Sequence, residues 1–120
     1  MSSEDQLRSV KVPDVAPVEL LSSIQGNFSM TSGDFVETYQ NDTGNWNAIV
    51  SCFFLDTANN PLTYLETIYN ALKPGGIWIN IGPLLWHFEN DPNKVSIELT
   101  FDELILIIKK IGFTIDYEHP

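Results

Sequence analysis

The chain has 120 residues, 43% of them hydrophobic, enough for one compact domain with a core. Six Lys and Arg against 16 Asp and Glu give a net charge of −10, which repels phosphate backbones and anionic lipid, so neither nucleic acid nor a membrane surface is an expected partner. The single cysteine, Cys52, excludes an internal disulfide and a four-cysteine zinc site, and no metal is expected. There is no apolar run of the roughly 20 residues that span a bilayer and no basic-then-apolar leader, so the expectation is a soluble protein of the cytoplasm, with the nucleus as a second compartment.

Residues 1–27 are predicted as a loosely structured lead-in, broken by Pro13 and Pro17, with a short strand at 10–12 as its one element. The pattern then sharpens. A strand is predicted at 28–31, running into Ser32-Gly33-Asp34, then a helical turn at 35–39 and a polar turn at 40–45. Residues 46–55 read Trp-Asn-Ala-Ile-Val-Ser-Cys-Phe-Phe-Leu, which predicts a strand buried on both faces, as in a parallel sheet.

Asn59 or Asn60 can cap the next helix, with Pro61 at its first position, where a missing N–H costs nothing. Leu62, Leu65, Ile68, Tyr69 and Leu72 recur at three- and four-residue steps and make one apolar face. Lys73-Pro74-Gly75-Gly76 stops that helix, and 77–81 is the next strand, apolar except for Asn80. A long loop runs from Gly82-Pro83 through Asp91-Pro92. Thr100 and Glu103 then have capping-box spacing, ahead of a helix with Phe101, Leu104, Ile105, Ile108 and Ile111 facing inward. Gly112 ends it, and a last strand is predicted at 113–117.

Strands alternating with helices indicate an α/β domain with a mostly parallel sheet. Such sheets bind ligands outside the carboxyl ends of their strands. Three loops follow those ends: Gly33-Asp34-Phe35, residues 56–60, and residues 82–90. On residue type alone the polar groups there also have structural readings. Asp34 after a glycine suits a turn, Asp56 a turn or a cap, and His87 a surface or packing position. Cys52 suits a small core position. Trp78, Trp86, Tyr64, Tyr69 and Phe101 suit packing.

Longer strings narrow the choice. Leu72-Lys73-Pro74-Gly75-Gly76 before an apolar strand resembles the connection that precedes the fifth strand of class I methyltransferases. Cys52-Phe53-Phe54-Leu55-Asp56-Thr57-Ala58, then Leu72 through Asn80, then Gly82-Pro83-Leu84-Leu85-Trp86-His87-Phe88-Glu89-Asn90 closely resemble the carnosine N-methyltransferase family. Pro13-Asp14-Val15, Asn27-Phe28-Ser29-Met30-Thr31 and Ser96-Ile97-Glu98-Leu99 match as well.

The resemblance implies a partial Rossmann-like methyltransferase fold, with residues 28–120 as the C-terminal part of the domain. It implies an enzyme that uses S-adenosylmethionine as cofactor and methylates an imidazole nitrogen of carnosine, or of a related histidine-containing dipeptide, to give anserine. It places Asp34, Phe35 and Cys52 beside the cofactor, with Asp34 and Phe35 on its adenine side. It places Asp56 and His87 against the substrate imidazole. There, Asp56 would accept the ring N–H, fix the tautomer and stabilise the cation formed as methyl arrives. His87 would hydrogen-bond the substrate or take up a proton, as histidines do near neutral pH.

Three features of the family are not met. No Gly-x-Gly loop follows a first strand: the seven glycines stand at 26, 33, 44, 75, 76, 82 and 112, none in that context. The acidic residue that would hold the ribose hydroxyls is absent, and tyrosines of the family's last strands would fall beyond Pro120. The chain alone is therefore expected to hold half a cofactor site, to lack full activity, and to self-associate through an exposed sheet edge. The alternative is a noncatalytic, methyltransferase-like interaction module. A hydrolase is disfavoured, since there is no Gly-x-Ser-x-Gly elbow.

Overall fold

The structure is a computed structural model that describes residues 4, 7–24 and 26–119. Within the predicted lead-in, residues 1–3, 5, 6 and 25 lie outside the described residues, as does Pro120. The chain divides into two compact units, Met1–Ser32 and Gly33–Pro120.

Between residues 7 and 24 of the first unit a short helix forms, α1 at Pro17–Ser22, with a proline in its first turn and no side-chain cap. Of residues 7–24 and 26–32, all are exposed except the half-buried Leu21. The strands predicted at 10–12 and 28–31 do not form. Their apolar residues, Val10, Val12, Phe28 and Met30, remain exposed, and an isolated extended segment has no ladder to join.

The second unit runs α2 (Phe35–Tyr39), β1 (Trp46–Cys52), a 3-10 turn (Leu55–Thr57), α3 (Pro61–Ala71), β2 (Leu72–Ile81) and α4 (Phe101–Ile111). β1 and β2 pair in parallel, with α3 as the crossover between them. This is the α/β arrangement the alternation predicts, reduced to two strands among the described residues. The side chain of Asn60 accepts from the Leu62 N–H at 3.1 Å, and Pro61 opens α3. Thr100 and Glu103 form the predicted capping box of α4.

The stretch Lys73–Gly76 behaves differently from its prediction. α3 ends at Ala71 and the chain passes straight into β2. Trp46 pairs with Leu72 and Ala48 with Ile77, so residues 73–76 bulge opposite Asn47. Gly75 has φ +79°, a conformation glycine adopts without steric cost. At Gly76 a Cβ would meet the carbonyls of Lys73 at 2.9 Å and Asn47 at 3.1 Å. The helix stop and the bulge are one device.

Leu55, Leu65, Leu104 and Ile108 form the core, joined at its margin by Trp78, Leu84, Leu99 and Phe113. Full burial of a leucine such as Leu65 contributes roughly 1.5–3 kcal/mol. Tyr69, expected inside, is exposed. The strand predicted at 113–117 is irregular, because Phe113 leaves any ladder to sit on the rings of Trp78 (5.4 Å) and Tyr69 (5.1 Å). Gly112 makes that turn at φ +129°, where a Cβ would lie 2.6 Å from the Tyr69 hydroxyl.

The strand predicted over 46–55 ends at Cys52, and it is not buried on both faces. Ser51 is buried and Ile49 and Trp78 are half-buried on one side of the sheet, while Ala48, Val50, Cys52, Ile77, Ile79 and Ile81 are all exposed on the other. No helix among the described residues is long and apolar enough to cross a membrane.

Candidate active site

The carboxyl ends of β1 and β2 lie side by side, with Ser51 opposite Asn80 and Cys52 opposite Ile81. Phe53 then turns sharply at φ +50° while its N–H donates to the Ile81 carbonyl at 2.7 Å. A non-glycine residue there carries backbone strain of the kind that concentrates at functional sites. Gly82 passes close above it: a Cβ at that position would sit 3.0 Å from the Phe53 backbone. The two chain segments thus leave the sheet in contact, and the loop from Gly82 is delivered next to the turn that holds Asp56.

Asp56 is buried in the 3-10 turn. Its Oδ2 accepts the Leu85 N–H at 3.1 Å, and its backbone carbonyl accepts the His87 N–H at 3.1 Å. Two hydrogen bonds therefore clamp the long loop onto Asp56. The same geometry sets the His87 Nε2 4.0 Å from Oδ2, with the His87 side chain 54% exposed and that of Asp56 3%. At 4.0 Å the two groups face one another beyond hydrogen-bond range. A buried acceptor-only carboxylate beside an accessible imidazole, both on backbone-pinned positions, can orient a ligand N–H and relay a proton to solvent.

Asp34 is exposed and caps α2, its Oδ1 accepting from the Glu37 N–H at 2.9 Å. On residue type Asp34 suits a turn; the structure makes it a helix cap. It also lines an open concavity of about 360 Å³ with Val36, Thr57, Asn59, Thr63, Tyr64 and Phe88, so the neighbours of both Asp56 and His87 reach the same hollow as Asp34. Phe35 and Cys52 line a second concavity, of about 420 Å³, with Ile49, Val50, Ser51, Phe54 and Ile68. Cys52 is exposed, which removes its core reading. The wall between the hollows is aromatic: Phe35 meets Phe54 edge-on at 5.2 Å, and Phe54 stacks on Tyr64 at 5.0 Å.

The family model of carnosine N-methyltransferase matches residues 1–119. The chain belongs to the carnosine N-methyltransferase family. It is 48% identical to the carnosine N-methyltransferase of Rattus norvegicus over 116 residues, which is 97% of this chain and 28% of the relative. Identity is 42% to carnosine N-methyltransferase unmet of Drosophila melanogaster, over 94% of this chain and 24% of the relative. It is 41% to the carnosine N-methyltransferase of Schizosaccharomyces pombe, over 93% of this chain and 33% of the relative. The chain spans about a quarter to a third of the length of these relatives.

For a member of this family, the predicted residues fall into two groups. Asp56 and His87 are brought together directly, and Asp34, Phe35 and Cys52 line the two hollows that flank the Phe54–Tyr64 stack. Sequence reasoning passed over Phe54, Tyr64 and Leu85. Tyr64 sits at helical spacing and reads as core; it does pack, half-buried, against the core, and it also lines the hollow shared with Asp34. Leu85 acts through its backbone N–H, for which its side chain gives no signal.

Proposed function

We propose that this chain forms the substrate-imidazole wall of an S-adenosylmethionine-dependent carnosine N-methyltransferase, together with one side of its cofactor pocket. The observation that carries the reading is the clamp of Leu85 and His87 on the buried Asp56. Asp56 Oδ2 is already engaged, while Oδ1 accepts no hydrogen bond from the described residues. A substrate imidazole donating its N–H to Oδ1 would have its tautomer fixed and its other nitrogen left as the nucleophile. The fixed carboxylate then stabilises the ring cation as the new N–C bond forms. The accessible His87 takes the ring N–H proton and passes it to water.

The residues of the second hollow fit one side of the cofactor. Phe35, Phe54, Ile49, Val50 and Cys52 offer rings and apolar surface without any Lys or Arg, suitable for an adenine ring and for a sulfonium, which aromatic faces attract. When bound, S-adenosylmethionine supplies the electrophilic methyl group. Phe35 and Cys52 would hold it from this hollow, and Asp34 from the first.

The test is methyl transfer from labelled S-adenosylmethionine to carnosine. It is measured on this chain and on a chimera in which the chain replaces the 116 matching residues of the rat relative. The chimera is expected to methylate carnosine, and its Asp56→Asn form to lose at least about 100-fold in kcat/KM, the cost of about 3 kcal/mol of transition-state stabilisation. A chimera that is inactive while folded, or an Asp56→Asn form that matches it, would sink the proposal.

A further inference from the structure

Asn80 interrupts a strand that is otherwise apolar from Ile77 to Ile81, and it does so next to the carboxyl end, in register with Ser51. The Trp78 indole N–H donates to Ser51 Oγ at 2.9 Å, and Ser51 Oγ–H donates to Asn80 Oδ1 at 2.7 Å. The polarity of this chain is forced. An indole N–H can only donate, so the buried Ser51 oxygen accepts and its hydroxyl proton needs an acceptor. That acceptor is the Asn80 carbonyl oxygen, which leaves the Asn80 NH2 facing outward. Asn80 is exposed, and its two N–H donors have no acceptor among the described residues.

Two residues further on, Gly82 crosses Phe53, and the same loop is clamped on Asp56 through Leu85 and His87. Asn80 therefore stands at the end of the sheet that carries Asp56 and His87. Those two groups suit an imidazole; neither offers a fixed donor to a carbonyl-type oxygen. Nor do the lysines of this unit suit that role. Lys73 is at the opposite end of β2, Lys109 and Lys110 are in the last turn of α4, and Lys94 sits 4.2 Å over the Phe88 ring.

We infer that Asn80, held by the Ser51–Trp78 chain, is a substrate-binding residue that donates to a backbone oxygen of the dipeptide, its carboxylate or its peptide carbonyl, and so selects histidine-containing peptides over bare imidazoles. This rests on the proposed reading of Asp56. Asn80→Asp separates recognition from structure: the aspartate keeps an oxygen for Ser51 to donate to but removes both donors.

Dissociation constants of the 120-residue chain are measured by NMR titration with carnosine, with carnosine C-terminal amide and with 4-methylimidazole, on the wild type and on Asn80→Asp, Asn80→Ala, Ser51→Ala and Asp56→Asn. Asn80→Asp and Asn80→Ala are expected to weaken carnosine about tenfold or more, the worth of a hydrogen bond to a charged or strongly polar oxygen. Both are expected to bind 4-methylimidazole as the wild type does. Ser51→Ala, which releases the grip but keeps the donor, is expected to show a smaller loss confined to the dipeptides. A loss that spares the amide assigns the carboxylate, and a loss on both peptides assigns the peptide carbonyl. Unchanged carnosine binding in the Asn80 variants and Ser51→Ala, with Asp56→Asn weakened for all ligands, overturns the role of Asn80 and leaves that of Asp56 standing. A wild type that binds no probe, or an Asp56→Asn variant that binds all three like the wild type, overturns both.

Discussion

The two faces of the β1–β2 sheet are built from the same two strands and have opposite fates. On one, Ser51 is buried, Ile49 is half-buried, and Trp78 packs against the core formed around Leu65, Leu104 and Ile108. On the other, Ala48, Val50, Cys52, Ile77, Ile79 and Ile81 form an apolar array left exposed among the described residues; Val50 is 66% exposed and Ile77 60%. The covered face carries a polar hydrogen-bonded chain, Trp78 to Ser51 to Asn80, while the open face has no polar side chain among these six residues. Hydropathy thus reports which side chains tolerate burial, whereas packing decides which are buried. Buried polar groups persist where every donor finds an acceptor.

That contrast can be broken by substitution. The largest effect is expected at Leu65, fully buried at the centre of the covered side. Leu65→Ala should cost about 2–5 kcal/mol in urea unfolding of the chain, lost contacts plus an unfilled cavity. A cost under about 1 kcal/mol would mean that the core is looser than the packing implies. Next is Asp56→Ala, which leaves the Leu85 N–H without its acceptor and frees the loop; about 1–3 kcal/mol is expected. Loop amides from Gly82 to His87 should then exchange hydrogen faster while those of β2 do not. On the open face Ile79→Ser should change stability by no more than about 0.5 kcal/mol, and a loss as large as that of Leu65→Ala would show that this face is covered in solution. Thr100→Ala, which removes the α4 cap away from both faces, should cost about 1 kcal/mol.

Much of the second unit was legible because its signals are local. Asn60-Pro61, Thr100 with Glu103, and Gly112 each fix a helix end through their own side chain or φ, and each stands where the spacing put it. The failures are tertiary. A run such as 46–55 is equally apolar whether one face is covered or two. Residues 113–117 have strand composition, but Phe113 finds the rings of Trp78 and Tyr69 before it finds a ladder. For the site, the resemblance supplied the positions of Asp56 and His87, and their pairing needed coordinates, since it depends on two backbone hydrogen bonds across about 30 residues of chain. The role inferred for Asn80 had one trace in sequence, a lone amide in an apolar strand, and no trace of the serine that orients it.

The smallest effect tests whether capping on α4 is electrostatic or only geometric. Glu103 accepts the Thr100 N–H at 2.9 Å and the Thr100 hydroxyl at 2.9 Å, and these bonds, the backbone one first, hold its carboxyl below its ordinary value of 4.5. A depressed carboxylate value contributes stability that is fully present above the unfolded value and is lost as pH falls through the folded one. Glu103→Gln keeps a side-chain oxygen for the Thr100 N–H and removes the charge. Wild type should therefore melt above Glu103→Gln by a constant small margin from pH 7 down to about 5, and the margin should close as pH drops below 4.5. A margin that does not narrow at all as pH falls from 4.5 towards acid unfolding would assign the effect to shape, because a charge effect must shrink as the carboxylate of the unfolded chain takes up its proton.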